Sequence, residues 1–145
     1  MTCHGRNVFT GEPVEVHFNG TITSVDVSSK SSERWISPGW IDIQVNGFDG
    51  VDYNSPVAAH EDIARSLAVQ FSAGVTRCFP TVITGAPDDM ANSLRNLARA
   101  RESLKSGAAM EGFHVEGPHI SPDDGPRGAH PRRWVRPPDL NEFRR

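Results

Sequence analysis

The chain has 145 residues, a formal net charge of -3 and a pI near 6.0, so it is one domain or a piece of one and lacks the basic surplus of a nucleic-acid-binding surface. Its 37% hydrophobic content allows a core, while 13 glycines and 11 prolines exclude a long helical rod. Cys3 and Cys78 form no Cys-x-x-Cys, Met1 to Thr10 hold no apolar signal-peptide core, and no run of about 18 apolar residues occurs; a disulfide framework, a secretory leader and a membrane span are not expected, and a reducing, cytoplasmic setting fits.

In chain order, Gly11-Glu12-Pro13 is a turn signal. Val14, Val16 and Phe18 then alternate with Glu15 and His17, the period of a half-buried strand with His17 facing outward. Asn19-Gly20 predicts a hairpin turn, and Thr21 to Val27 the return strand. After a polar stretch from Ser28 to Glu33, Trp35-Ile36 reads as one more short strand before Pro38-Gly39. The segment up to about Ser37 is thus expected to be a small antiparallel sheet of hairpins. No internal repeat is seen.

The style then changes. Trp40 to Asn46 reads as a buried parallel strand that opens into a loop at Gly47. Ile63, Leu67 and Phe71, spaced by four, predict an amphipathic helix over 57–72 with Gly74 at its C-terminal end. Val75 to Val82 is the next strand. Ala86-Pro87-Asp88-Asp89 opens a second helix, with proline in the first turn and acids that suit the helix dipole, running to Gly107. A third strand is expected from Met110 to Val115, ending at Glu116, and Pro138-Asp139-Leu140 suits the start of a third helix. Strand, helix, strand, helix, strand is the pattern of βαβ units in a parallel sheet. A complete (β/α)8 barrel takes about 250 residues. The pattern therefore fits either the front part of a barrel or a compact three-stranded α/β domain.

Chemistry concentrates at the end of the third strand, in Phe113-His114-Val115-Glu116-Gly117-Pro118-His119 and the nearby Gly128-Ala129-His130. A carboxylate at a buried strand end is costly unless paired or bound to a metal, and that end of parallel strands is where barrel active sites lie. Glu116 with His114 and His119 would offer oxygen and imidazole to a divalent ion. His114-x-Glu116 also suits zinc deaminases, but those need a downstream Pro-Cys-x-x-Cys and no cysteine follows Glu116. Gln44 and Asn46 share a face at the end of the first parallel strand. Arg127, Arg132, Arg133 and Arg136 read as solvated loop charges, and His4, His60 and His119 as ordinary polar positions.

These residues resemble a family. Pro38 to Gly47 looks like the opening barrel strand of the amidohydrolase superfamily, and Gly74-Val75-Thr76 through Phe79-Pro80-Thr81 like its second strand. Phe113 to Ser121, Gly128-Ala129-His130 and Arg136-Pro137-Pro138-Asp139 resemble, within it, the N-acetylglucosamine-6-phosphate deacetylase family. The resemblance implies an α/β fold: the first three βα units of a TIM-type (β/α)8 metal-dependent hydrolase barrel in 38–145, preceded by part of a small β-sandwich in 1–37. It implies Glu116 as a metal ligand and Ala129 and His130 as contacts to a phosphorylated amino-sugar substrate. Gln44 and Asn46 stand where many members carry His-x-His for a second metal, which is similar to one-metal members of this family. The cofactor implied is one divalent ion, Zn²⁺ or similar, which polarises the acetamide carbonyl and acidifies a bound water, releasing acetate. Further ligand histidines and a catalytic aspartate belong to later strands, so no catalytic residue is assigned and the isolated chain is expected to be inactive. A homodimer of the full-length family, pairing with a chain that supplies the missing strands, an amidohydrolase of another N-acyl or cyclic amide, and a non-catalytic remnant all stay open.

Overall fold

The computed structural model describes residues 1–144; Arg145, half of the basic end Arg144-Arg145, lies outside them. Two compact units are present, Met1–Pro38 and Gly39–Arg145.

The first unit is a four-stranded sheet of β1 (Thr2–Asn7), β2 (Pro13–Asn19), β3 (Thr21–Val27) and β4 (Trp35–Ile36) in the order β3-β2-β1-β4. The predicted hairpin is there: β2 and β3 pair antiparallel around Gly20, whose φ of 76° is the left-handed conformation glycine tolerates. Two features depart from the expectation. Thr2–Asn7 is a strand despite its polar sequence, because it pairs antiparallel with β2 along its length. And β4 joins β1 in parallel, so the sheet is mixed rather than a run of hairpins. Gly5 makes that pairing possible, since a Cβ there would meet Ile36 Cγ1 at 2.6 Å. Pleating puts Val14 and Val16, both buried, on one face. The other carries Glu15 between His4 and Asp26, with His17 outward as expected and Thr2 Oγ1 3.2 Å from its Nδ1.

The second unit is mixed α/β. Strand β5 (Trp40–Val45) runs into a two-residue hairpin, β6 (Gly47–Phe48) and β7 (Val51–Asp52), whose turn residues Asp49 and Gly50 both have positive φ, 53° and 76°. Helix α1 (His60–Ser72), strand β8 (Val75–Ile83), helix α2 (Pro87–Ser103), a 3-10 turn at Gly107–Ala109, strand β9 (His114–Glu116) and a short helix α3 (Leu140–Phe143) follow. The three long-range strands form a parallel sheet in the order β5-β8-β9. Pro80 removes a backbone donor inside the central strand, and beside it the register to β5 slips between Asp42 and Val45.

Helix starts and stops follow local chemistry. Pro87 opens α2 with Asp88 and Asp89 in its first turn, and Gly74, at φ 89°, follows Ala73, the C-cap of α1. The side chain of Asp139 caps α3 by accepting from the backbone N–H of Asn141 at 2.8 Å. Helix α1 starts three residues later than predicted, leaving Val57 exposed, and α2 stops at Ser103, short of Gly107. The third strand is also shorter than predicted. Met110 makes one bridge to Cys78, and pairing resumes only at His114.

Ile63 and Leu67 of α1, Leu97 and Ala100 of α2, and Cys78 and Val82 of β8 share one core cluster, so both helices cover the same face of the central strand. Tyr53 is wholly buried beside them; its hydroxyl lies 2.5 Å from Ser66 Oγ and accepts from Gln70 Nε2 at 3.0 Å. The expectation that β5 is buried is not met. It has one neighbour, and Trp40, Ile41 and Ile43 are exposed while Val45 is buried.

Candidate active site

Strand β9 stops at Glu116 because Gly117 turns the chain at φ 83° and Pro118 has no N–H to continue a ladder. Ile83 is the register partner of Glu116, so the residue after β8, Thr84, arrives beside this stop. Its buried hydroxyl donates to the Glu116 carbonyl at 3.2 Å. Asn54 secures the same end of β8: its Oδ1 accepts from Ile83 N–H at 2.7 Å, and its own carbonyl accepts from Ser93 of α2 at 2.7 Å.

The loop after β9 brings His130 back to the strand end. Turns at Gly125 and Gly128, both at positive φ, curl it, and Arg127 clamps it by donating to the His130 carbonyl at 2.6 Å and pairing with Asp124. His130 Nδ1 then lies 2.8 Å from Thr84 Oγ1, and Nε2 lies 3.2 Å from Glu116 Oε1. From the other side of β8, Gln44 Nε2 donates to Glu116 Oε2 at 2.6 Å. The Glu116 side chain is 34% exposed and that of His130 14%, so the pair sits at a cleft wall, half shielded from water. The cleft, about 570 Å³, is lined by Asn46, Ile83, Glu116, Arg127, Ala129 and His130, among others.

Glu116, Ala129, His130, Gln44 and Asn46 are thus brought to one place. The other histidines are not. His114, two residues back along β9, has Nδ1 3.3 Å from the Ile43 carbonyl. His119 lines a separate, more apolar groove of about 400 Å³ with Met90, Leu94 and Phe143. The trio Glu116, His114 and His119 therefore does not form, because the chain reverses at Gly117-Pro118. Two arginines are also not the solvated charges expected: Arg127 holds the loop, and Arg136 pairs with Glu142 while donating to the carbonyls of Gly85 and Trp134 at 3.1 and 2.6 Å. Glu142 keeps the Arg136 guanidinium protonated beyond its ordinary range. Thr84 and Asn54 escaped sequence reasoning because their partners here lie between 29 and 46 residues away and no motif marks them.

As a donor set for a divalent ion, the site has one carboxylate and one imidazole within reach of each other. Among the described residues no three His, Cys, Asp or Glu side chains converge to hold a metal ion. A catalytic zinc site takes about three protein ligands. The residues present fit one corner of such a site, not the whole of it.

An acid, an imidazole and an amide meeting at the carboxyl ends of parallel strands put this chain among α/β proteins that meet their ligands at that edge of the sheet. No family model matches the chain. N-acetylglucosamine-6-phosphate deacetylase of Mus musculus is 36% identical over 114 residues, 76% of this chain and 26% of that protein. Those of Caenorhabditis elegans and Bacillus subtilis are 38% and 34% identical over 117 and 111 residues. In fold, the chain is similar to the crystal structure of N-acetylglucosamine-6-phosphate deacetylase from Thermotoga maritima, with a TM-score of 0.81 at 24% identity over 99% of this chain and 39% of that one. The one from Pasteurella multocida gives 0.67 at 23% identity. The chain spans about a quarter of the length of the curated relatives it matches. It is related to the N-acetylglucosamine-6-phosphate deacetylase family, of which it matches an N-terminal portion.

Proposed function

We propose that the chain forms the first three βα units, 38–145, of a TIM-type deacetylase barrel, with 1–37 as part of a small β-sandwich. Two features support this reading. Both helices pack on one face of β8, as in a barrel wall, whereas a doubly wound sheet carries helices on both. Gln44 and Glu116 also meet at 2.6 Å although their strands flank β8 and lie about 9–10 Å apart in a flat sheet, which fits a sheet curled toward the cleft.

The activity this serves is removal of acetate from N-acetylglucosamine 6-phosphate, and the observation that carries it is the Glu116–His130 pair at the strand ends. Glu116 supplies one ligand to a divalent ion, Zn²⁺ or similar, that polarises the acetamide carbonyl when bound. Gln44 holds the Glu116 carboxylate in one orientation by donating to Oε2. Ala129 leaves the backbone open to the sugar phosphate, and His130 offers a ring nitrogen to it across the cleft. The remaining ligands and the group that moves the water's proton come from outside the described residues.

Acetate release from N-acetylglucosamine 6-phosphate by the purified 145-residue chain with Zn²⁺ tests this. No turnover is expected from the chain alone, with activity restored by a chain supplying the remaining barrel strands and lost again on Glu116→Gln. Metal-dependent turnover by the chain alone would overturn the incomplete site. Failure of every such mixture to release acetate would overturn the activity.

A further inference from the structure

We infer that Asn19 is a site of spontaneous deamidation, and that the fold shields the chain's other Asn-Gly pair, Asn46-Gly47, from the same reaction. The chemistry needs no enzyme. The backbone nitrogen of the glycine loses its proton and attacks Cγ of the asparagine. The new N–C bond closes a five-membered succinimide as the C–N bond of the side-chain amide breaks, and ammonia leaves with that proton. Water then opens either carbonyl of the ring, giving aspartate or isoaspartate. Glycine is the most permissive second residue because no Cβ obstructs the rotation that the attack requires. The dipeptides alone rank the two sites equally.

The structure separates them. Both asparagines are exposed, so water reaches both amides. What differs is the peptide that carries the attacking nitrogen. Gly20 lies between β2 and β3 at the hairpin tip, exposed, with open space where a Cβ would stand, and among the described residues no turn or loop hydrogen bond involves it. Its peptide can rotate toward the Asn19 side chain at the expense of the single pair Asn19–Thr21. The Asn46 carbonyl belongs to the same planar unit as the Gly47 nitrogen. It accepts from Tyr53 N–H at 3.0 Å and from Asn54 Nδ2 at 3.5 Å. Tyr53 is wholly buried, and a Cβ on Gly47 would stand 2.1 Å from the Val51 carbonyl oxygen, so this peptide is pinned and closely packed. Turning it means opening the β6–β7 hairpin. The products differ in consequence. At Asn19 one negative charge joins a chain already at -3, and isoaspartate lengthens the backbone at the hairpin tip by one carbon. At Asn46 the product would set a second carboxylate in the cleft with Glu116, so the pinned peptide preserves the amide there.

Incubation of the folded 145-residue chain in mildly alkaline buffer, with peptide mapping by mass spectrometry at intervals, tests this. A parallel sample in guanidinium chloride supplies the unfolded chain. In the folded sample the Asn19 peptide should gain aspartate and isoaspartate roughly tenfold faster than the Asn46 peptide, the weight of one or two hydrogen bonds that must open at the second site. In guanidinium the two rates should converge. Equal or faster conversion at Asn46 in the folded chain, or an Asn19 that stays unmodified there, would overturn the proposal. A gap of the same size in guanidinium would also overturn it, because neighbouring residues rather than the fold would then set the order. The readout uses neither metal nor turnover, so it stands or falls separately from the deacetylase reading.

Discussion

Gly117 has no room for a side chain and holds a φ of 83°. Gly117→Ala should therefore lower stability by about 1–3 kcal/mol and shift Thr84, measured by urea unfolding together with the His130 ring signals. Tyr53→Phe leaves the buried Gln70 amide without its acceptor and should cost about 1–3 kcal/mol by the same measurement. Burial, with the Asp42 charge adding to it, pushes the Cys78 thiol from 9.0 up to about 11, and burial raises the Tyr53 phenol above 10.0. Both groups ionise more readily in the unfolded chain. Their contribution is complete below pH 9 and declines as the pH climbs toward 11. The urea midpoint should fall over that window, and fall less in Cys78→Ala; an equal fall would remove Cys78 as a cause. At this scale the sequence announces Glu116 and His130 through their motifs. It is silent on Thr84, whose importance exists only once residues 46 positions apart touch.

The elements that were legible are those whose burial pattern is local. Val75–Ile83 is an apolar run, and α1 and α2 carry helical spacing. Leu67 is fully buried between helix and sheet, so Leu67→Ala should cost about 2–5 kcal/mol, read by thermal or urea unfolding. The elements that were not legible borrow their structure from a partner. Thr2–Asn7 has no apolar alternation and becomes a strand only by pairing with β2. Met110 to Phe113 looks like strand but pairs only at the Cys78–Met110 bridge before the ladder resumes at His114. The Asp49-Gly50 hairpin did carry a readable signal, a dipeptide suited to a turn with two positive φ angles.

Across the whole molecule, the open side of the parallel sheet is the edge strand β5, with exposed apolar side chains. Strand β5 exposes Ile43 by 70% and Ile41 by 57% along an edge with unpaired backbone groups. Concentration-dependent self-association is expected in sedimentation velocity, weakened by Ile43→Lys with no loss in urea midpoint; unchanged association in that variant would clear this edge. The sequence could not show this, because Ile41 and Ile43 read as core residues until the strand beyond them is counted.

The two cysteines divide differently. Cys3 is exposed, while Cys78 lies against both helices with its thiol held protonated. Only a thiolate attacks an alkylating reagent. Cys3 will be consumed at once, and Cys78 only during the moments when α1 and α2 lift from β8. The chain therefore carries a stopwatch for its own breathing: the slow phase of its alkylation times how often the parallel sheet comes open.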